Sequence, residues 1–259
     1  MPATETMVGV ATSAPSQPAS PGTKVQVEPL PQDSPQPFAL RDCALIAIAT
    51  GVRAHNMKEL QDRVQGIEPG CLYYHFWGGL LRPRFDDPEY RNDFAIWVRN
   101  EVHDEELAER LASVDPTQHE TLEGLREAVS EAIESRLEVM EAGAWQRTQS
   151  PFHFVRSQIA VFDTGLLLNQ PAQLAECLPR LSLGSIFYHF IDARRRVPEH
   201  LDDFRVWLQH WGSRYADLCD RLAEVDYYFV SLAELRKELA QILGEYFEIP
   251  PRLHTEEVQ

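Results

Sequence analysis

The chain has 259 residues, 44% of them hydrophobic and 10% aromatic, which fits one large domain or two small ones and is too apolar for an unfolded polymer. Its 40 acidic residues outnumber 24 basic ones, for a net charge of −16. That balance argues against a nucleic-acid surface, which must neutralise phosphates, and against docking on an anionic membrane.

In chain order, residues 1–37 are rich in Pro, Ser, Ala and Thr and hold no aromatic residue. Such a segment cannot bury enough surface to offset its ordering entropy, so it reads as a disordered Pro/Ser-rich arm. "FALRDCALIAIATG" (38–51) is Ala-rich and ambiguous alone, but "FHFVRSQIAVFDTG" (152–165) alternates and turns β-branched, as a strand does. Laid over each other at a constant offset of 114, residues 38–76 and 152–190 share eight identities in 39 positions, against about two or three by chance. The shared residues include Thr50/Thr164, Gly51/Gly165, Gly70/Gly184 and the block Tyr74-His75-Phe76/Tyr188-His189-Phe190.

At an offset of 110, "PEYRNDFAIWV" (88–98) then meets "PEHLDDFRVWL" (198–208), and "TLEGLR" (121–126) meets "SLAELR" (231–236). Between them, "RLASVD" (110–115) meets "RLAEVD" (221–226). Blocks in one order point to an internal tandem duplication. The expected organisation is copy 1 at 38–141, a linker at 142–151, copy 2 at 152–248 and a tail at 249–259.

Each copy reads as one strand followed by four or five helices. Short helices are predicted at 57–66 and 171–180, and motif helices at about 71–82 and 185–196. Helices led by Asp93 and Asp203 follow, then last amphipathic helices with apolar stripes from Leu122 to Met140 and from Leu232 to Tyr246. The fold class is therefore α+β, predominantly helical. A lone strand would leave both edges bare, so the two strands are expected to pair about a pseudo-twofold axis. Asp93 and Asp203 read as helix N-caps, Trp97 and Trp207 as core anchors, and Gly51 and Gly165 as strand ends with positive φ.

Chemistry is sparse. The four cysteines, Cys43, Cys71, Cys177 and Cys219, have no CxxC spacing, and none recurs in both copies. The "HD" pair His103-Asp104 does not recur either. No GxSxG, P-loop, GxGxxG or HExxH string occurs, so no catalytic residue, metal or cofactor is predicted. No signal peptide or membrane-length apolar run is visible, which suggests a cytoplasmic chain with reduced thiols. From Glu101 to Glu141, 13 acidic residues face three Arg, as a solvated helix face or a docking face for a basic partner requires.

What does recur is a polar set: Tyr74/Tyr188, His75/His189, Arg82/Arg196, Glu89/Glu199 and Asp93/Asp203. Each Arg lies seven residues after its His, two helical turns on, with Gly79 or Ala193 between them. The functional reading is a His/Arg notch in each copy, ligand-binding through Tyr74, His75, Arg82, Asp93, Tyr188, His189, Arg196 and Asp203. Arg would hold an anion and His would donate a hydrogen bond or move a proton. The packing account has His75 bonded to a buried backbone group and Arg82 paired with Asp93 or Glu89.

The runs "CLYYHFWGGLLRPRFDDPEYRNDFAIWV" (71–98) and "SIFYHFIDARRR" (185–196) resemble an uncharacterised bacterial family, a domain of unknown function with tandem YHF…DFxxW repeats. That resemblance implies no activity, cofactor or catalytic residue. The expected function is a binding or regulatory module for a small anionic or polar ligand or a protein partner. The alternatives are an enzyme on a small anionic metabolite with His as general acid–base, and a scaffold that uses its acidic face.

Overall fold

The computed structural model describes residues 36–82, 90–140 and 145–249. The arm predicted at 1–37 lies almost wholly outside the described residues, as do Glu89, the start of the linker and most of the tail.

Two strands of equal length, β1 (Phe38–Ala54) and β2 (Phe152–Leu168), form an antiparallel ribbon. The expected pairing is therefore present, from Phe38↔Leu168 at one end to Ala54↔Phe152 at the other. The register shifts twice, between Ala39 and Arg41 and between Ala49 and Arg53. At the first shift β2 runs from Leu167 to Asp163 while β1 advances only two positions; at the second the roles of the strands exchange. Gly51 and Gly165 sit in the longer arms with φ of 78° and 72°, the left-handed region that favours glycine. They do not end the strands as expected: each strand continues three residues further. The Thr before each Gly stitches its bulge. Thr50 Oγ1 donates to Phe154 O and Thr164 Oγ1 to Leu40 O, both at 2.6 Å.

The helices follow the predicted order. α1 (Met57–Gly66) and α2 (Pro69–Leu81) come first, then α3 (Asp93–Trp97), which runs into a π turn at Val98–Val102. α4 (Glu105–Ala112) and the long α5 (Leu122–Val139) complete the first half. After β2 come α6 (Pro171–Cys177), α7 (Leu183–Ile186), a π turn at Phe187–Asp192 and α8 (Ala193–Arg196). Thus the second motif helix is one helical run widened in its middle, where a straight α-helix was expected. α9 (Asp203–Gln209), α10 (Ala216–Ala223) and α11 (Leu232–Tyr246) close the chain.

Local chemistry accounts for the starts. Asn92 and Asp202 cap α3 and α9 by accepting from Ala95 N and Arg205 N. Thr121 and Ser231 cap α5 and α11 in the same way. Asp93 and Asp203 are therefore the first residues inside their helices, one place past the caps they were expected to be. Their carboxylates are free for other work. Asp104 of the "HD" pair is also a cap, that of α4, and is ion-paired to Arg136 at 2.7 Å.

Helices pack against the ribbon over a continuous core. Phe94, Phe152 and Phe154 cluster in one half and Phe190 and Phe204 in the other. Trp97 and Trp207 are buried, as expected of anchors. Their indole N–H groups donate to Ser150 O at 2.9 Å and to Gln36 O at 3.1 Å. The last helix of each half sends an Arg to the end of the first. Arg126 donates to Ile67 O at 2.6 Å and Arg236 to Leu181 O at 2.8 Å.

Candidate functional site

The eight predicted residues assemble into two separate clusters. His75 and His189 are 3% and 2% exposed. In the first cluster, His75 Nδ1 lies 2.9 Å from Asp93 Oδ2, and its Nε2 accepts from Val155 N of β2 at 3.1 Å. In the second, His189 Nδ1 lies 2.7 Å from Asp203 Oδ2, and its Nε2 accepts from Arg41 N of β1 at 2.8 Å. A backbone amide can only donate, so Nε2 is the bare nitrogen and Nδ1 carries the proton toward the carboxylate. Both rings are thus held in one neutral tautomer with both nitrogens occupied. Each His also reaches the strand of the other half, at the residue where the ladder shifts.

Burial holds the pKa of His75 below its ordinary value, against the hydrogen bond to Asp93. Burial alone would raise Asp93; the bond from His75 and the Arg82 guanidinium outweigh it and hold that carboxyl low. Arg82 Nη2 donates to both Asp93 oxygens at 3.1 Å, and Arg196 Nη2 to Asp203 Oδ2 at 3.0 Å. Each guanidinium stacks on the Tyr of its own motif, Arg82 on Tyr74 at 5.0 Å and Arg196 on Tyr188 at 3.9 Å. The arginines meet solvent, at 42% and 30% side-chain exposure. The spacer Ala193 is fully buried and Gly79 half-buried, so the small residues sit in the packing. Tyr188, His189 and Asp203 line a shallow cleft of 330 Å³ with Phe38 and Trp207.

A second constellation escaped the sequence reading. Asp192, in the π turn of the second half, is fully buried. Its carboxylate accepts from Tyr73 Oη at 2.8 Å, Arg195 Nη2 at 3.1 Å and Arg196 Nε at 2.8 Å. Burial and then the Asp192 charge push the Tyr73 hydroxyl well above its ordinary pKa, so it stays a donor. Burial opposes the charge on Arg196, but Asp203 and Asp192 outweigh it and raise its pKa. Arg195 lies over the Tyr73 ring at 5.0 Å, and Arg194 over Tyr227 at 4.3 Å. The arginines and tyrosines border two adjoining clefts of 470 and 440 Å³ that share Tyr73, Leu122 and Arg195. The one available signal was a departure: Arg194 and Arg195 stand where the first half has Leu80 and Leu81, and Asp192 where it has Gly78.

A model of a family of unknown function, DUF5752, matches residues 35–244. The chain belongs to this family. It is also similar to a solved structure, OrfY from Thermoproteus tenax, with 25% identity and a TM-score of 0.71 over 82% of this chain and 96% of that one. No curated protein matches.

The remaining chemistry of this DUF5752 chain is quiet. Burial pushes the thiols up, Cys43 to about 12 and Cys71 and Cys177 to about 11, so none of these is a ready nucleophile at neutral pH. Among the described residues, no group of three or more His, Cys, Asp and Glu is placed to hold a metal ion. None of the described helices is long and apolar enough to cross a membrane.

Proposed function

We propose that the chain is a two-copy binding module for a small polar or anionic ligand, and that its paired histidines are clamps that hold the copies together. The observation that carries this reading is the engagement of both ring nitrogens in His75 and in His189, by an Asp on one side and a strand amide on the other. A ring so bound has no lone pair with which to take a proton from a substrate. Ligand contacts then fall to the half-exposed guanidiniums and to the clefts beside them.

The duplication and its pseudo-twofold axis are part of the proposal. Their support is a set of contacts that recur at the sequence offsets: Thr50/Thr164 on the bulges, His75/His189 on the opposite strands, Trp97/Trp207 and Arg126/Arg236. Residues 114 apart face each other only at Leu45↔Ile159, which is where the axis would cross the ribbon. Four free cysteines fit a reducing compartment such as the cytoplasm.

The test is a thermal-shift screen of carboxylates, phosphates and neutral metabolites against wild type and a doubly substituted His75→Gln, His189→Gln chain. A ligand that still binds the double variant, once folding is verified by circular dichroism, supports the module. A set in which nothing of any charge class shifts the melt removes the binding reading. The scaffold reading would then take its place, with the exposed Glu123, Glu127, Glu131, Glu134 and Glu138 of α5 as a docking face for a basic partner.

A further inference from the structure

We infer that the two adjoining clefts beside Arg195 form one binding site for a phosphate ester, with Arg195 as its anion contact; the inference rests on the binding-module reading and names its ligand class. The first cleft lies between the ribbon and the starts and ends of the motif helices, walled by Gly70, Ile159, Val161, Tyr188, Arg195 and Arg196 among others. Among the described residues its charged lining is Asp192, Arg195 and Arg196; Asp192 and Asp203 together balance the two guanidiniums, and Arg195, with donors to spare, is the one an anion would meet. A guanidinium with unused donors at the edge of a cleft gives an anion a local contact on an otherwise acidic protein.

The two guanidiniums are not equivalent. Arg196 is largely committed, Nε to Asp192 and Nη2 to Asp203 and to Tyr188 O, which leaves it Nη1 alone. Arg195 gives only Nη2 to Asp192, and its Nε and Nη1 make no hydrogen bond among the described residues. It is 50% exposed, yet held in place by Asp192 beneath and by the Tyr73 ring against its face. A guanidinium with free donors, fixed before the ligand arrives, suits a fork-like contact to phosphate.

The organic part has a place too. Arg195 and Tyr73 also border the 440 Å³ cleft, where Trp77 and Tyr227 offer aromatic surface and His119 and His200 polar contacts. Glu120 and Glu199 border that second cleft together with Arg194 and Arg195, a balanced lining that suits an uncharged group there and leaves the anion to the spare donors of Arg195. His200 holds a left-handed backbone at φ 54°, costly for a residue with a Cβ, with its Nδ1 bonded to Arg194 O at 3.0 Å.

The two halves differ in chemistry at this place. On the opposite side the equivalents of Tyr73, Asp192, Arg194 and Arg195 are Phe187, Gly78, Leu80 and Leu81. The equivalent opening is shut as well. A Cβ on Gly184 would fall 2.3 Å from Cys43 O, whereas one on Gly70 would meet nothing nearer than 3.8 Å. Packing that was merely copied would not open a cleft and charge it on one side only.

Isothermal titration of the full chain with pyrophosphate, ADP and inorganic phosphate tests the site, with adenosine as the neutral control. ADP is expected to bind best, and Arg195→Ala to weaken ADP and pyrophosphate by about ten- to a hundredfold, the worth of a charged hydrogen bond. Arg195→Lys should recover part of the loss. Val161→Asp, which leaves every arginine in place and adds a negative wall, should abolish phosphate binding. Failure of all three phosphate probes, or equal binding to wild type and Arg195→Ala, overturns the phosphate site. In that event adenosine or another neutral compound that binds leaves the module reading standing, and silence across all classes removes both.

Discussion

Replacing His189 by Ala tests the clamp most directly. The imidazole does two jobs: it accepts from Arg41 N at a bulge, and it joins Asp203 to the core. Without it the Arg41 amide loses its acceptor at a half-buried position, which costs about 1–3 kcal/mol. The ring also fills space against Phe38, 5.0 Å away, and Phe204, 5.7 Å away. Truncations of that kind cost about 2–5 kcal/mol when the walls cannot collapse. Asp203 keeps Arg196 and is not orphaned, so it adds about 1 kcal/mol or less. We expect a total loss of about 6 kcal/mol, the middle of those ranges, which for a domain of this size lowers Tm by roughly 12–24 °C. His75→Ala should cost at least as much, because its two hydrogen bonds match those of His189 and its ring packs on one more aromatic residue, Phe154. His189→Gln returns an acceptor to the place of Nε2 and should cost less than Ala. Urea unfolding followed by circular dichroism measures all three. A loss below about 1 kcal/mol for either Ala variant, or a Gln variant no better than Ala, would refute the clamp.

Three further outcomes are expected. Gly184→Ala should destabilise the chain by about 1–3 kcal/mol, since the new methyl meets the Cys43 carbonyl, while Gly70→Ala should change thermal stability little. Tyr73→Phe removes one donor from the buried Asp192 and should cost about 1–3 kcal/mol in urea unfolding; Phe187→Tyr, on the other side, has no such carboxylate to meet. The folded His75 resists protonation, so the unfolded chain takes up a proton first as pH falls; stability is full above about pH 6.5 and drains below it, by at most ~1.4 kcal/mol per unit. Urea midpoints at pH 7.5 and 5.5 should therefore differ more in wild type than in His75→Gln, and equal differences would sink that assignment.

The helices were legible because their apolar stripes and starts obey local rules, and Ser231 with Glu234, a reciprocal cap, is such a rule in full. The strands were legible only jointly: the Ala-rich 38–51 gained its assignment from 152–165. The bulges were not legible. Gly51 and Gly165 signal positive φ, but a strand end and a bulge require the same residue, and only the cross-strand register separates them. The caps were misplaced by one residue for a similar reason. "ND" and "DD" each offer two short polar side chains, and packing decides which of the pair turns outward from the helix start and which reaches the His. The packing account of His75, bonded to backbone with Arg82 on Asp93, describes the observed contacts.

On the proposed duplication, residues that recur at the sequence offsets answer to a constraint common to both halves, and such a constraint is chiefly one of packing. Histidines, Asp93, Asp203 and the Trp pair all meet that description, since each closes a gap between a helix and the opposing strand or segment. The proposed ligand, seated near the proposed pseudo-twofold axis, needs the reverse, because it has no twofold symmetry of its own and must be met by unlike residues on its two sides. Tyr73 and Phe187 face each other across the core at 6.4 Å, and only the Tyr carries a hydroxyl, which is turned to Asp192. From that point outward the differences accumulate on one side: a carboxylate for Gly78, two guanidiniums for Leu80 and Leu81, an open cleft where Gly184 shuts its counterpart. A buried Asp must be answered by donors, and Asp202, the cap of α9, takes three of its own within the packing; Asp192 differs in that one of its three donors, Arg195, stands half-exposed on a cleft. An arrangement that holds Arg195 half-exposed with donors to spare gives that Asp a purpose, and it places the search for a ligand where the halves disagree.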